Sequence, residues 1–435
     1  MKQPLTLALC LALSACATTQ APYQAPMPSV EGPSLAEVSR HATTIDLGAP
    51  LPPDALATIA VLANPDLKAL RAQKGVADAQ IFAVGLLPDP SFSIGADAPL
   101  NGSGLVTALS GSIGLDLASL ATRPARLRAA HVSAGAVQQE IAWAEWLTSE
   151  QARLLAERLS WLSAIQDKTG RMRQLAEDDL ARVLAAAARG DVSAIEVDAR
   201  RLVSADASDR DRTAESQLAA ARLELNRLLG IDPAETVVVA AVSGKSPETP
   251  DLHALFQLAV EGRADLVALR QGLSAASSGV AGAHAAQFPL PSVSVNAGRD
   301  TGDIRTLGPS VSLNLPVWNR GRGDVAVSKA DLARLEAEYA ARLEAVRADI
   351  AASATSLAIA RSQLADVTRD LADLNDQAGA TDRAAERGDV AVTIAAATRM
   401  AALDKDILAD SLSLAAAEAA IALEIAVGAR LELPQ

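Results

Sequence analysis

Two neighbouring runs, Phe288-Pro-Leu-Pro-Ser-Val-Ser-Val-Asn-Ala-Gly298 and Ser310-Val-Ser-Leu-Asn-Leu-Pro-Val-Trp318, decide how this chain folds. In the first, Val293, Val295 and Ala297 alternate with Ser292, Ser294 and Asn296, the period of two that marks a strand. In the second, Val311, Leu313, Leu315 and Val317 alternate with Ser310, Ser312 and Asn314. Each predicted strand has one apolar face and one face of small polar residues, which suits a barrel wall between lipid and water. A long helical run follows Trp318.

An earlier part of the chain repeats the pattern in Pro90-Ser-Phe-Ser-Ile-Gly-Ala-Asp97 and Leu109-Ser-Gly-Ser-Ile-Gly-Leu-Asp-Leu117. Leu117 and Leu315 are 198 positions apart, as are Gly190 and Gly388. Asp66-Leu67 and Asp265-Leu266 differ by 199, and Pro90-Ser91 and Pro291-Ser292 by 201. A register held along both halves argues for an internal duplication. Residues 51–230 are expected to form the first unit, 231–252 an irregular link, 253–430 the second unit and 431–435 a tail.

Half of the 435 residues are hydrophobic but only 2% are aromatic, with alanine supplying most of the difference. Such sequence packs long helices closely rather than building thick cores. From Pro124 to Ala188 nothing breaks a helix, and the matching run has Leu332, Leu335, Tyr339, Leu343, Val346, Ile350, Leu357, Leu364, Val367, Leu371 and Leu374 at coiled-coil steps. Pro124 itself is expected in the first helical turn. Each long helix ends in the same device, Arg189-Gly-Asp-Val192 and Arg387-Gly-Asp-Val390, after which a returning helix runs to Leu229-Gly230 or Val427-Gly428. The glycine closes one helix and the aspartate is expected to cap the next.

The N-terminus has a short positive start, an apolar run too short to remain as a spanning helix, and Leu13-Ser14-Ala15-Cys16. This resembles a bacterial lipobox, which implies a signal peptide over 1–15, lipid attachment at Cys16 and an acylated extended tether over 16–50. Ala17 follows the cysteine where aspartate would mark inner-membrane retention, so the implied destination is the outer membrane. Cys10 falls in the removed segment, so no disulfide is expected. A formal charge of −13 argues against a nucleic-acid partner.

Taken in order, the lipobox, the two units, Phe288-Pro-Leu-Pro-Ser292, Leu313-Asn-Leu-Pro-Val-Trp-Asn-Arg-Gly321 and the two tips resemble the TolC-type outer-membrane efflux channel family, over about residues 50–430. The resemblance implies a mainly α protein with a β-barrel portion. Long coiled-coil helices would form a periplasmic α-barrel, and four strands per chain would build a twelve-stranded barrel shared by a homotrimer. It implies passive conduction of efflux or secretion cargo, with no cofactor beyond the lipid. Its expected partners are a periplasmic adaptor protein and an inner-membrane efflux transporter, with outer-membrane lipid around the barrel. Adaptor contact and the closed end of the tunnel map onto Gly190, Asp191, Val192 and Ser193, and onto Gly388, Asp389 and Val390. Where the best-studied family member carries entrance aspartates this chain has Ile394 and Ala397, leaving Glu196 and Asp389 as candidates for a charge ring.

Gly321-Arg-Gly323 imitates a dinucleotide fingerprint, but the strand before it alternates, unlike a buried parallel strand. His41, His131, His253 and His284 have no metal-ligand spacing, and neither HExxH nor GxSxG occurs, so no enzyme is expected. A non-pore periplasmic coiled-coil structural or adaptor lipoprotein is the competing reading. It accounts for the helices and the anchor but not for four alternating strands.

Overall fold

The structure, a computed structural model, describes residues 31–40, 45–242, 251–288, 290–313 and 317–431. The expected signal segment, Cys16, His41, Asn314 and Leu315 therefore lie outside the described residues. The chain divides into two compact units, Met1–Gly32 and Pro33–Gln435, and all the described secondary structure belongs to the second. There a short helix α1 (Leu35–Val38) precedes α2 (Pro53–Ala63), α3 (Pro65–Gly85), β1 (Ser91–Asp97), β2 (Ala108–Asp116), the long α4 (Leu117–Ala188) and α5 (Ala194–Leu229). The order then recurs as α6 (Leu252–Gly262), α7 (Ala264–Ala285), β3 (Ser292–Arg299), β4 (Arg305–Ser312), the long α8 (Arg322–Glu386) and α9 (Val392–Val427). With 72 residues, α4 is about 110 Å long at the rise of a regular helix.

Sheet formation follows from the alternating sequence. The four strands form one antiparallel sheet in the order β1-β2-β3-β4, so β2 and β3 join the two halves of the chain and β1 and β4 are its edges. The last strand is placed differently from the sequence expectation. It begins at Arg305 and ends at Ser312, opposite Ser292 where β3 begins, so Leu313 lies beyond the ladder. Pro309 is accommodated because β4 is an edge strand, where no inner amide is required of it.

Besides a small cluster of Met172, Ala176 and Ala207, the helices bury their apolar stripes in two similar large clusters. One joins Leu56 and Ile59 of α2 to Leu155 and Leu159 of α4 and Leu225 and Leu229 of α5. The other joins Leu255 of α6 and Leu266 of α7 to Val346, Ile350 and Leu357 of α8 and Leu423 of α9. Every coiled-coil position named above in α8 is buried or half-buried. Two further differences from the sequence reading appear. Pro124 is the eighth residue of α4 rather than part of its first turn, because Asp116 starts the helix directly after β2 by accepting from the amides of Ala118 and Ser119 at 3.0 and 3.2 Å. Residues 34–38 are not extended tether: Ser34 and Glu37 form a capping box, and Leu35 packs into the first cluster at 9% exposure.

The helix pairs are tied off by equivalent devices. Asn64 Nδ2 donates to the Leu228 carbonyl at 2.8 Å while Asn64 Oδ1 accepts from the Leu67 amide at 2.9 Å. In the second half Arg263 Nη1 donates to the Ala426 carbonyl at 2.5 Å, and its guanidinium lies 4.4 Å from the Trp143 ring centre. Both reach the last turn of a returning helix that Gly230 or Gly428 closes at φ 66° or 77°. Asn64→Ala is expected to cost about 1–2 kcal/mol, since it removes a cap and leaves a buried carbonyl unserved. Urea titration followed by helical circular dichroism checks this, and no change in midpoint would show that water replaces both bonds.

A seam of ion pairs holds α4 and α5 against α9. Lys168 lies 2.8 Å from Asp410, Arg158 2.8 Å from Glu418, Arg153 2.6 Å from Glu424 and Arg210 2.7 Å from Asp404. In these four pairs the cation comes from the first half and the carboxylate from the second. The link between halves folds back on the first: the Leu51 amide donates to the Val238 carbonyl at 2.8 Å, and Ala240 returns a bond to Leu51 at 2.9 Å.

Candidate functional site

At each hairpin tip the long helix ends by the same geometry. The Gly190 amide donates to the Ala187 carbonyl at 3.0 Å and the Asp191 amide to Ala186 at 3.0 Å, with Gly190 at φ 83°. The Gly388 amide donates to Ala385 at 3.0 Å and the Asp389 amide to Ala384 at 2.9 Å, with Gly388 at φ 78°. These paired bonds close a helix through a left-handed residue. A Cβ at either glycine would meet nothing within 4 Å, so the backbone conformation alone calls for glycine.

Neither aspartate caps the following helix, contrary to the sequence expectation. Asp191 Oδ2 pairs with Arg189 Nε at 2.9 Å, and Asp389 Oδ2 with Arg387 Nε at 2.9 Å. Each carboxylate sits just after the glycine, nearer the arginine two residues back than the next helix start. Ser193 caps α5 by accepting from the Glu196 amide, whereas Ala391 precedes α9 with no side chain able to do so. Arginine–glycine–aspartate is therefore a turn that pairs its own ends. Val192 and Val390 lie between glycine and returning helix, half-buried. Of the two charge-ring candidates, Glu196 stands in the first turn of α5 and Asp389 is held by Arg387.

The asymmetry of the caps has a measurable consequence. Ala391→Ser should stabilise the second tip by about 1 kcal/mol, and Gly190→Ala should destabilise the first by about 1–2 kcal/mol. Hydrogen exchange of the amides flanking each tip reads both effects. Unchanged protection in both variants would contradict these roles.

The sheet presents two chemically distinct faces. Phe92, Ile94, Leu109, Ile113, Leu115, Val293, Val295, Leu307 and Val311 share one, by the register Phe92 to Ile113 to Val295 and Val293 to Val311. They are half-buried or exposed, with Ile94 80% and Leu307 78% exposed. The other face carries Ser91, Ser93, Ser110, Ser112, Ser294, Asn296, Ser310 and Ser312. There Ser93 and Ser112 hydroxyls meet at 2.7 Å across β1 and β2. An apolar face of this extent and exposure marks contact with something other than water. Among the described residues no helix is long and apolar enough to cross a membrane, and no group of three or more His, Cys, Asp or Glu side chains is placed to hold a metal ion.

No family model matches the chain, and no curated protein matches it. Solved structures do. A membrane protein from Pseudomonas aeruginosa is similar at 17% identity over 96% of this chain and 98% of its own, with a TM-score of 0.71. The outer membrane protein VceC of Vibrio cholerae is similar at 18% identity over 92% and 100%, with a TM-score of 0.69. The CmeC outer membrane channel of Campylobacter jejuni is similar at 14% identity over 95% of each chain, with a TM-score of 0.69. Long helices closed by matching tips, a four-stranded sheet with one apolar and one hydroxylated face, and these likenesses together show that the chain has the fold of the TolC-type outer-membrane channels.

Proposed function

We propose that the chain is the outer-membrane channel subunit of an efflux or secretion system. The observation that carries this reading is the sheet: four strands with an exposed apolar face, a hydroxylated face and two edges. Open edges are not tolerated in lipid, and four strands do not close a barrel by themselves. Three copies joined from β4 of one to β1 of the next make twelve strands, with the apolar face toward lipid and the serine face around water. The helical hairpins continue the conduit into the periplasm, and the two units descend from a tandem duplication.

Conduction in this reading is passive. The tips at Gly190–Ser193 and Gly388–Val390 meet a periplasmic adaptor, an inner-membrane transporter supplies the energy, and Cys16 carries the lipid anchor. Support comes from the matching turns at both tips and from similarity to solved outer-membrane channels. Native mass spectrometry of detergent-extracted protein tests the assembly: three copies with strand content are expected. A monomer would return the coiled-coil lipoprotein to first place.

A further inference from the structure

On the apolar face of β3 and β4 the last rung at the hairpin end is not apolar. Arg299 stands directly opposite Arg305, continuing the series Val293–Val311, Val295–Pro309 and Ala297–Leu307 on that face. Like charges directly across a ladder repel, so the arrangement costs stability unless something lies between them. Only one of these arginines is met by an acid of the turn. Asp300 accepts from the amides of Gly302 and Ile304 at 2.8 and 2.9 Å, while Asp303 pairs with Arg299 at 2.5 Å, which leaves Arg305 as the cation of the rung without an acid. Arg305 is exposed and makes no ion pair or hydrogen bond among the described residues. The first hairpin has no such rung, since Ala96 faces Leu109 and Asp97 faces Ala108.

We propose that Arg299 and Arg305 form a binding site for the phosphate of an anionic lipid headgroup in the outer leaflet. This rests on the reading that the apolar face meets lipid. If the band from Val293 to Ala297 lies in hydrocarbon, the next rung reaches headgroup level, where long basic side chains extend toward phosphate. A phosphate between the two guanidinium groups accepts bonds from both and removes their repulsion. The lipid source is favoured over free phosphate because the rung is continuous with the apolar face, where acyl chains would lie.

The test uses the full-length protein, wild type and R299Q/R305Q, in nanodiscs of equal phosphatidylglycerol and phosphatidylcholine. Native mass spectrometry after release counts the lipids retained. Wild type should retain phosphatidylglycerol preferentially, and that preference should fall about fivefold per arginine removed, with phosphatidylcholine retention unchanged. Equal retention of both lipids by wild type, or an unchanged preference in the double variant, overturns the proposal. Loss of the bound phosphatidylglycerol on adding excess inorganic phosphate also overturns it, because the site would then read phosphate without its acyl chains. A protein that enters nanodiscs with neither lipid retained contradicts the lipid-facing assignment itself, and the arginine site with it. Retention by the single variants R299Q and R305Q separates a shared site from one arginine acting alone.

Discussion

Arg153→Ala is expected to destabilise the protein by about 3–5 kcal/mol, because it strips the counterion from two buried carboxylates. Arg153 on α4 pairs with Glu150 one turn earlier and with Glu424 on α9 at 2.6 Å, and its Nε lies 3.5 Å from Asp54 of α2. Glu150 is 0% exposed, and its Oε1 makes no hydrogen bond but faces Arg430 Nε at 3.5 Å. With Arg153 gone, Glu150 and Glu424 face each other with only the half-exposed Arg430 nearby. The cost reads as a lower urea midpoint at unchanged m-value. Glu150→Gln added to Arg153→Ala should recover part of it by removing one of the orphaned charges. A single-variant cost below about 1 kcal/mol would place the cluster with ordinary surface pairs.

The same cluster gives stability an unusual pH dependence. Burial raises the Glu150 carboxyl above its ordinary value of 4.5; Arg153 pulls it back and Glu424 pushes it up again. A folded value above the unfolded one means that the native state holds the proton more tightly. The contribution is present in full below 4.5 and is lost as pH rises through the folded value. Glu150→Gln removes this component, so the difference in stability between variant and wild type should change in the variant's favour as pH rises from 4.5 up to the folded value, and level off above it. A difference constant with pH would show that Glu150 titrates normally.

Ile113→Arg is expected to cost about 2–4 kcal/mol per chain if the position lies near the bilayer centre, and to abolish most assembled oligomer. Ile113 is flanked by Phe92 on β1 and Val295 on β3, so the charge has no polar neighbour on that face. Ser112, one residue away, points to the opposite side between Ser93 and Asn296. Ser112→Arg should assemble normally. The amount of heat-resistant oligomer in outer-membrane extracts reads both, and equal tolerance of the two substitutions would mean that the faces are assigned wrongly.

What was legible in the sequence depended on how local the cause was. Alternation placed β1 and β2 to within a residue and β3 to within two, because the face of each side chain is set by its neighbours in the chain. It misplaced β4, which runs from Arg305 to Ser312, because the alternation carries on through Leu313 while the ladder stops where β3 begins at Ser292, and the extent of a partner is not a local property. The glycines at the tips were legible from the turn they require. The role of their aspartates was not, because Asp191 had two possible partners and distance decided for Arg189. Placing Pro124 in the first turn overlooked Asp116, the aspartate between strand and helix that caps α4 seven residues earlier than the helix was expected to begin. Arg153 and Glu424 are 271 residues apart, and nothing in the spacing of either reveals the other.

On the proposed reading, three chains enclose a conduit closed at its periplasmic tips. Single-channel recording in planar bilayers, with oligomer mass measured on the same preparation, tests it most directly. Discrete openings from a trimer are expected, with larger or more frequent openings once Asp191 and Asp389 are both replaced by alanine. A monomer that never conducts, with either tip sequence, would contradict it.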